Sequence, residues 1–455
     1  MIITEPTEKE NTKSVGCWFI ESAVKNAGYD IRYIDYPDIE NINADIYLFS
    51  VHHVSDMFYL SKIIDKKKGV WIGGGHAMNN PYPFLHFFDL ICVGEGEIWI
   101  LKVLEIFSKR GTIKDCLEIP GSLVLQNVEG EIEKQYINDI SRNDIYLNES
   151  FKKGHKDTWY LEIGRGCKSK CFYCELGWTN KYRENQEKGI LEKIDFISKS
   201  NVNRINIFAP DDYSASFYEN VCDLILDKNL ISNFGSMRVD RLLKMNSKQK
   251  KNFLFRMGVD GLSERIRRIV NKNIENEKLI RLFREMVNKD YKHLKFFFIF
   301  SYPFETKSDF NEFIYLTRQL HNEARNILER IIVRLKFTPL IPNLHTPLED
   351  FKPYYDNEMK NNILQFFAAE NGRPGKIYFK NDGIMNESNY YIQAFLSRAR
   401  YEEINLKLIK NFHRLKLTAK ELAISTKPHG NLKLHINSEL LKKAKNKLHR
   451  RINAL

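Results

Sequence analysis

Short apolar runs that alternate with helix-length stretches restrict the fold of this chain more than any other feature of its sequence. The first third contains five such runs, at residues 2–4, 31–34, 46–51, 70–73 and 90–93. Strands that alternate with helices form a parallel sheet with helices on both of its faces. We therefore predict an α/β chain in which residues 1–140 form a doubly wound domain.

The same alternation continues through the middle of the chain. Apolar runs occur near residues 159–163, 204–208, 234–238, 258–262, 295–300 and 331–337. About six strands fit between Thr158 and Pro342, so we predict a partial (β/α)6 barrel over residues 150–362 and not a full barrel of eight units. In such barrels the functional residues lie at the carboxyl ends of the strands. Residues 363–455 are predicted to form a basic, mainly helical domain.

Three cysteines follow the first strand of the predicted barrel. Cys167, Cys171 and Cys174 have the spacing C-x3-C-x2-C, directly after Gly164-Arg165-Gly166. Thiolates select zinc, copper(I) or iron–sulfur clusters, and a closed structural zinc site normally has a fourth protein ligand. No fourth cysteine lies nearby, so a four-iron cluster held here keeps one iron open to a substrate. A zinc site completed by a distant histidine such as His155 and a chance cluster are the alternatives.

The cysteine spacing, with Tyr173 before the third cysteine, resembles the cluster-binding loop of the radical S-adenosylmethionine (SAM) enzymes. Later segments resemble the same family in the same order, and the last resembles a stretch that closes the barrel in cobalamin-dependent members. These segments are residues 206–212, 258–267, 301–306 and 337–348. The resemblance implies that Cys167, Cys171 and Cys174 are the catalytic ligands of a [4Fe–4S] cluster whose open iron binds SAM and donates an electron to cleave it.

The resemblance also implies a SAM pocket at the same ends of the strands. The residues expected to contact the cofactor are Tyr173, Asp211, Asp212, Arg238, Asp260 and Ser263. Carboxylates such as Asp211 or Asp212 would accept hydrogen bonds from the ribose or face the sulfonium. Arg238 would pair with the methionyl carboxylate through two hydrogen bonds. For each residue, a salt bridge at the barrel rim is the alternative.

The glycines of the first domain lie after its later strands. The turn after the first strand, residues 5–16, lacks the Gly-x-Gly-x-x-Gly pattern of nicotinamide-binding Rossmann folds. Glycines instead follow the fourth and fifth apolar runs, in Gly73-Gly74-Gly75-His76 and Gly94-Glu95-Gly96-Glu97. This pair resembles the Rossmann-like cobalamin-binding domain found ahead of many radical SAM domains.

The resemblance implies that cobalamin contacts the crevice at the carboxyl ends of these strands. The residues expected to contact it are Ser50, Gly73, Gly74, His76, Gly94 and Glu95. The Asp-x-His-x-x-Gly motif that supplies a lower axial histidine is absent, so His52, His53 and His76 are not assigned as cobalt ligands. The alternative is a domain that keeps the fold without the corrin.

Positive charge is concentrated at one end of the chain. Between Ser397 and Leu455 there are fifteen Lys or Arg residues against four Glu, a net charge of +11, whereas the whole chain carries +12. Such a surface would attract an acidic leader peptide, a nucleic acid or an anionic membrane face. The alternative is a solvated helical face that caps the barrel.

The sequence contains neither an export signal nor a stretch of about twenty apolar residues. Four cysteines outside the loop, Cys17, Cys92, Cys116 and Cys222, are scattered through apolar segments and are predicted to be buried free thiols. We therefore expect a cytoplasmic protein with no membrane span. Reduction of the cluster would require an electron donor such as flavodoxin or ferredoxin.

The resemblance implies a cobalamin-dependent radical SAM enzyme. Such an enzyme would cleave SAM to a 5′-deoxyadenosyl radical, abstract hydrogen from an unactivated carbon of a small molecule or peptide, and transfer a methyl group to it. A rearrangement or cyclisation with the same cofactors is the first alternative. A methylthiotransferase is a second, although such enzymes carry three further N-terminal cysteines. A non-catalytic protein that binds an acidic partner is a third.

Overall fold

The structure is a computed structural model. It describes residues 1–7, 13–127, 132–141, 158–200, 204–211, 214–232, 238–244, 256–288, 291, 293–327, 329–428, 432–433 and 438–454. Strands and helices are numbered here in chain order. The seventeen strands are β1 Ile2–Thr4, β2 Arg32–Tyr33, β3 Ile46–Ser50, β4 Val70–Gly74, β5 Leu90–Cys92, β6 Ser122–Leu123, β7 Ile132–Glu133, β8 Thr158–Glu162, β9 Gly164–Arg165, β10 Arg183–Glu184, β11 Arg204–Phe208, β12 Ile231–Ser232, β13 Arg256–Gly258, β14 His293–Phe300, β15 Ile331–Pro339, β16 Ile377–Ile384 and β17 Leu432–Lys433 in the described part of the chain.

Helices of widely different length connect these strands. The α-helices are α1 Val15–Asn26, α2 Met57–Ile63, α3 Gly96–Ser108, α4 Leu176–Thr179, α5 Glu187–Ser198, α6 Tyr218–Asp227, α7 Val239–Leu242, α8 Glu264–Ile269, α9 Asn276–Val287, α10 Lys307–Glu323, α11 Asn357–Glu370, α12 Glu387–Leu396, α13 Leu406–Lys410, α14 Phe412–Ser425 and α15 Ser438–Asn453. Several begin at a side chain that accepts a hydrogen bond from the first turn, such as Ser14 before α1 and Asp356 before α11. Such capping side chains fix where a helix starts.

The first domain is a six-stranded sheet in the order β2-β1-β3-β4-β5-β6. The first five strands are parallel, and β6 runs antiparallel to β5. Alternate residues of β3 enter different cores, since Tyr47 and Phe49 pack in one apolar cluster and Leu48 packs in the other. A sheet with a core on each face is doubly wound, as predicted. The strand order reverses between β1 and β3, which is where such sheets bind ligands.

The barrel region consists of two parallel sheets. One has the order β12-β11-β8 and the other the order β13-β14-β15-β16. Along β14 the side chains of Phe296, Phe298 and Phe300 are buried, and the residues between them are only partly covered. This alternation fits a strand with one face towards a core. The α/β class and the partial barrel predicted from the sequence are confirmed by this arrangement.

Two barrel strands differ from their predicted positions. The apolar run at 234–238 lies almost wholly outside the described residues, and the strand found nearby is the two-residue β12. Beyond residue 362, where we expected the barrel region to end, β16 adds a further parallel strand beside β15. The C-terminal region is therefore mainly helical but also contributes to the barrel sheet.

The C-terminal helices contact both preceding domains. Phe412 of α14 packs edge-on against Phe58 of α2, with ring centroids 5.0 Å apart. The short β17 pairs in parallel with β7, through Leu432 opposite Ile132. The helix α15 packs on the barrel, where Ala444 and Leu448 are buried. Among the described residues no helix has the length and apolar composition needed to cross a membrane.

Candidate functional site

The three cysteines lie in the loop that follows β8, at the carboxyl end of the first barrel strand. β9 and β10 pair antiparallel at the base of this loop, with Gly164 opposite Glu184. Gly166 has a φ angle of 78°, and a side chain there would collide with the carbonyl group of Lys181. Only glycine adopts this backbone conformation without strain at such a close approach. The glycine before the first cysteine is therefore required for the loop to fold back.

Hydrogen bonds hold the cysteine loop on the barrel. The backbone N–H of Phe172 donates to the carbonyl of Val270 at 2.9 Å. The Trp178 indole donates to the carbonyl of Cys171, and the Asn271 amide donates to the carbonyl of Lys170, both at 2.9 Å. The loop is thus fixed by the segment that follows α8 as well as by its own residues.

The cysteine thiols are shielded from solvent to different degrees. Cys171 is buried, whereas Cys167 and Cys174 are partly exposed. Burial raises the pKa of Cys167, and burial together with the other two thiols raises the pKa of Cys174 to about 12. Thiols with raised pKa values must release protons when they bind a metal.

The donor set of the loop fits an iron–sulfur cluster, because thiolates are the usual ligands of such clusters. In the part of the chain that the structure describes, no three His, Cys, Asp or Glu side chains are arranged to hold one metal ion. The three cysteines of the loop satisfy the chemistry of such a cluster.

A buried polar network lies beside the loop, centred on Asp260. The Tyr173 hydroxyl donates to Asp260 Oδ2 at 2.7 Å, and the Lys272 ammonium lies 2.7 Å from the same oxygen. The Tyr302 hydroxyl donates to the backbone carbonyl of Asp260 at 2.8 Å. Burial raises the pKa of both tyrosines well above the usual value, so both remain hydrogen-bond donors. Tyr173 and Asp260, which were predicted separately, are thus direct partners.

Arg238 also reaches the cysteine loop. Its Nη1 lies 4.0 Å from the sulfur of Cys171, and its Nη2 donates to the carbonyl of Lys272 at 2.8 Å. The guanidinium therefore brings a positive charge to the thiol that is most buried. This position agrees with a role in binding an anionic group next to the cysteines.

The remaining residues predicted for the SAM pocket fall into three cases. Asp211 is buried, accepts a hydrogen bond from Ser214 at 2.7 Å, and lies close enough to Cys167 to raise the pKa of that thiol. Asp212 lies outside the described residues. Ser263 is fully buried and caps α8, with its hydroxyl donating to Asp309. It has no exposed atom for a cofactor, so the predicted contact of Ser263 is not supported by its position.

A cavity of about 350 Å³ opens at the carboxyl ends of β1, β3, β4 and β5. Its walls are mainly apolar and include Phe19, Leu48 and Trp99. Predicted cobalamin contacts that line it are Ser50, Gly73, Gly74, Gly94 and Glu95. Glu162, Arg165 and Phe208 of the barrel close the cavity from the other side. The cavity therefore lies between the two domains and within reach of the cysteine loop.

Buried charges join the domains at the edge of this cavity. Arg165 lies 2.9 Å from Glu97, 2.7 Å from Glu162 and 3.3 Å from Glu95. Arg183 donates to Glu95 at 2.9 Å. Burial alone would raise the pKa of Glu95, but the two arginines hold it below its usual value. Burial raises the pKa of Glu162 despite its contact with Arg165.

His76 links the glycine-rich turn to the cysteine loop. Its Nε2 lies 2.8 Å from Oε1 of Glu175, the residue after Cys174. Burial would raise the pKa of Glu175, but His76 and Lys134 hold it below its usual value. The turn after β4 therefore contacts the loop directly, although His76 itself does not line the cavity. Gly75 permits this turn, since its φ angle is 102° and a side chain there would meet the backbone of Val51.

Sequence reasoning missed Lys272 and Arg165 as site residues. Lys272 follows α8 and has no motif of its own, although Asn271 and Asn273 on either side adopt positive φ angles of 61° and 43°. Asn adopts positive φ angles more readily than most residues, so the two asparagines are the one sequence signal of a tight turn here. Arg165 stands between the two glycines that precede the cysteines, which singled out its position but not its contacts.

Comparison with known proteins identifies the region around the cysteines. The model of the Radical SAM superfamily matches residues 161–316. An uncharacterized protein of Methanocaldococcus jannaschii is 24% identical over 362 residues, which cover 76% of this chain and 74% of that protein. A radical SAM domain implies a [4Fe–4S] cluster and SAM.

Two solved structures share the fold at low sequence identity. The radical S-adenosylmethionine methyltransferase TsrM of Kitasatospora setae, with tryptophan substrate and a SAM analogue, superposes with a TM-score of 0.55 at 10% identity, over 73% of this chain and 72% of TsrM. The cobalamin-dependent S-adenosylmethionine radical enzyme OxsB, with aqua-cobalamin bound, gives a TM-score of 0.51 at 15% identity, over 72% of this chain and 53% of OxsB. This chain therefore shares its fold with TsrM and OxsB.

Proposed function

We propose that this chain, in which residues 161–316 form a radical SAM domain, is a cobalamin-dependent enzyme that methylates an unactivated carbon. The observation that supports this most strongly is the apolar cavity between the sheet of the first domain and the barrel. The turn after β4, whose Gly73, Gly74 and Gly75 line the cavity, contacts the cysteine loop through His76 and Glu175. Two cofactors held at these two places would face the same space.

The walls of the cavity suit the corrin and its side chains. Backbone at Gly73, Gly74 and Gly94 allows close approach because no side chain intervenes, and Ser50 offers a hydroxyl. The apolar walls favour a ligand with extensive hydrocarbon surface. Structures of TsrM and of OxsB contain bound cobalamin, which supports the same ligand for this cavity.

The polar groups beside the cysteines would hold SAM. Arg238 would pair with the methionyl carboxylate, because its guanidinium is directed at the cysteine loop and Arg binds carboxylates through two hydrogen bonds. Asp260 would keep Tyr173 and Lys272 in fixed positions around the ligand. Asp211 is the carboxylate available in the described residues to face the ribose or the sulfonium.

The chain itself contributes position and the exclusion of water. When bound, the cluster supplies the electron that cleaves SAM, and cobalamin supplies the methyl group. Ion pairs of Arg165 with Glu95, Glu97 and Glu162 hold the barrel against the first domain and would keep the two cofactor sites in register. A reactive radical requires such a closed and rigid site, since contact with water would divert it.

Anaerobic reconstitution tests both cofactors at once. The protein is loaded with iron and sulfide, incubated with hydroxocobalamin, desalted, and examined by absorption spectroscopy. We expect a brown protein that keeps corrin bands. Iron and sulfide without corrin would remove the methylation proposal, and zinc without sulfide would remove the radical mechanism.

The mass of the product then separates methylation from rearrangement. The proposed reaction adds one methyl group to the substrate and forms 5′-deoxyadenosine, whereas a rearrangement leaves the substrate mass unchanged. Methyl transfer is supported by the likeness in fold to TsrM, which is itself a radical S-adenosylmethionine methyltransferase. The electron for each turnover must come from outside the chain, from a donor such as flavodoxin or ferredoxin.

A further inference from the structure

The helix α15 carries a basic face close to the cysteine loop. Six Lys or Arg residues stand against one Glu within Ser438–Asn453. Lys442, Lys447 and Arg450 are exposed on this helix, and Arg268 is exposed on the neighbouring α8. These four residues are called the α15 basic face below.

The helix α15 packs against the cysteine loop. Ala444 and Leu448 are buried in the same apolar cluster as Phe172, the residue that follows Cys171. The guanidinium of Arg451 lies 5.7 Å from the centre of the Phe172 ring and donates to the carbonyls of Arg268 and Ile269. The helix is therefore attached to the same segment that anchors the cluster loop.

The charge of the α15 basic face is not neutralised by its surroundings. Lys443 and Lys445 are paired, with Glu439 at 2.7 Å and with Glu349 at 2.8 Å. By contrast, Lys442, Lys447 and Arg450 make no ion pair with any residue that the structure describes. Unpaired cations grouped on one exposed surface attract acidic molecules and accelerate their association.

We propose that the α15 basic face docks an acidic protein that carries a low-potential one-electron centre, a flavin or an iron–sulfur cluster. This inference rests on the proposed function, because it assigns the surface through which the cluster is reduced. In the docked complex the carrier loses one electron and the cluster gains it, and no bond is made or broken. The surface meets the two requirements of such an encounter, which are complementary charge and closeness to the acceptor.

The composition of the face favours a protein partner over a nucleic acid or a membrane. The helix α15 contains no Phe, Tyr or Trp on which bases would stack. Of its apolar residues, Leu440 is the large one that is exposed, at 43%. An anionic membrane would be expected to take up a broader apolar face beside the charges.

Charge reversal tests the proposal. The test protein, called the α15 variant, carries Lys442→Glu, Lys447→Glu and Arg450→Glu. The control protein carries Lys407→Glu, Arg414→Glu and Lys416→Glu, which reverse three exposed charges on α13 and α14. Each reconstituted protein is mixed at low salt with a reduced acidic flavodoxin, and cluster reduction is followed by stopped-flow absorption. We expect the cluster of the α15 variant to be reduced at least about ten-fold more slowly than that of the wild type. The cluster of the control variant should be reduced at the wild-type rate.

Two further measurements isolate docking from the chemistry. Reduction by dithionite, a small chemical reductant, should give the same cluster signal in all three proteins. Binding of the oxidised flavodoxin to cluster-free protein should weaken in the α15 variant and should weaken with salt in the wild type. This binding does not require the cluster.

The outcomes are distinguishable. Wild-type rates for the α15 variant with flavodoxin, or an equal loss in the control variant, would overturn the docking surface. If the α15 variant is reduced by flavodoxin at the wild-type rate but no longer binds an RNA oligomer or anionic vesicles, the face belongs to another partner. That result would also overturn the docking proposal. A wild-type protein that dithionite cannot reduce would remove the proposed function and this inference with it, whereas a flavodoxin defect confined to the α15 variant supports both.

Discussion

The cysteine loop and the cavity of the first domain are built in opposite ways. The loop gathers its three thiols within eight consecutive residues and is held by nearby hydrogen bonds, such as that from Trp178 to Cys171. The cavity collects single residues from the ends of four strands and is closed by Glu162, Arg165 and Phe208 of another domain. One site is therefore a property of a short segment, and the other is a property of how two domains pack.

This difference separates the effects of substitutions. A change to a cysteine of the loop should remove a ligand and leave the fold intact, because the hydrogen bonds that hold the loop come from its backbone, Trp178 and Asn271 and not from the thiols. A change at the junction should weaken the packing that shapes the cavity, even where the altered residue contacts no cofactor. The four predictions that follow test this contrast, from the largest expected effect to the smallest.

Replacing Cys171 with Ala should reduce formation of 5′-deoxyadenosine to background, because the cluster loses one of its three protein ligands. Corrin retention after desalting should be unchanged. Cys116→Ala, at a cysteine in the first domain, serves as the matched control and should keep SAM cleavage. SAM cleavage at the wild-type rate by the Cys171→Ala protein would contradict the assignment of this ligand.

Replacing Arg165 with Met should lower the stability of the domain junction by about 3–5 kcal/mol, because Glu95, Glu97 and Glu162 keep their charges in a buried place without this partner. Thermal denaturation measures the change. The control is Lys199→Met, which breaks an exposed pair with Asp195 and should leave the melting temperature nearly unchanged. Equal melting temperatures for the two variants would mean that the buried pairs do not hold the domains together.

Replacing Gly74 with Leu should weaken cobalamin binding at least about ten-fold, because the new side chain fills part of the cavity. Iron and sulfide content should stay the same. Gly74→Ala is the graded control, since a Cβ at this position meets only Cys92, at 3.8 Å. Spectral titration with hydroxocobalamin gives the affinities, and an unaltered Gly74→Leu protein would exclude this cavity as the corrin site.

His52 should make the stability of the first domain depend weakly on pH. A hydrogen bond with Glu5, opposed by burial, raises the pKa of His52 above 6.5. The stabilisation is fully present below pH 6.5 and is lost as pH rises through the folded pKa, because the unfolded chain then binds fewer protons than the native one. Melting temperatures of the wild type should fall over this interval. A His52→Gln protein with the same pH slope would show that another group is responsible.

The contrast also explains how much could be predicted from the sequence. The three cysteines could be singled out because they lie within eight residues. The doubly wound domain and the partial barrel followed from the apolar runs. The strand β16 was not predicted, since Lys380, Asn381 and Asp382 interrupt its apolar pattern at the edge of the sheet. Lys272 and Arg165 were missed because their partners are distant in sequence, and only the folded chain brings a lysine to Asp260 or an arginine to Glu97.

Ser263 shows that a match to a sequence motif does not decide what a side chain does. Its segment matched the family pattern, but a serine at the start of a helix also serves as a cap, and the local sequence does not separate the two roles. Its burial and its contact with Asp309 favour the cap. The motif thus singled out a segment, and the fold shows which of its side chains are already engaged within the protein.

The pairing of β17 with β7 has a consequence for biosynthesis. Leu432 and Lys433 of β17 pair with Ile132 and Glu133 of β7. Because β7 is synthesised before the barrel and β17 after it, β7 has no partner strand in the described part of the chain until β17 has been made. During translation the ribosome releases both main domains before this closing strand emerges. The nascent protein therefore passes through a stage in which the cysteine loop has been made and the pairing of β7 with β17 has not yet formed.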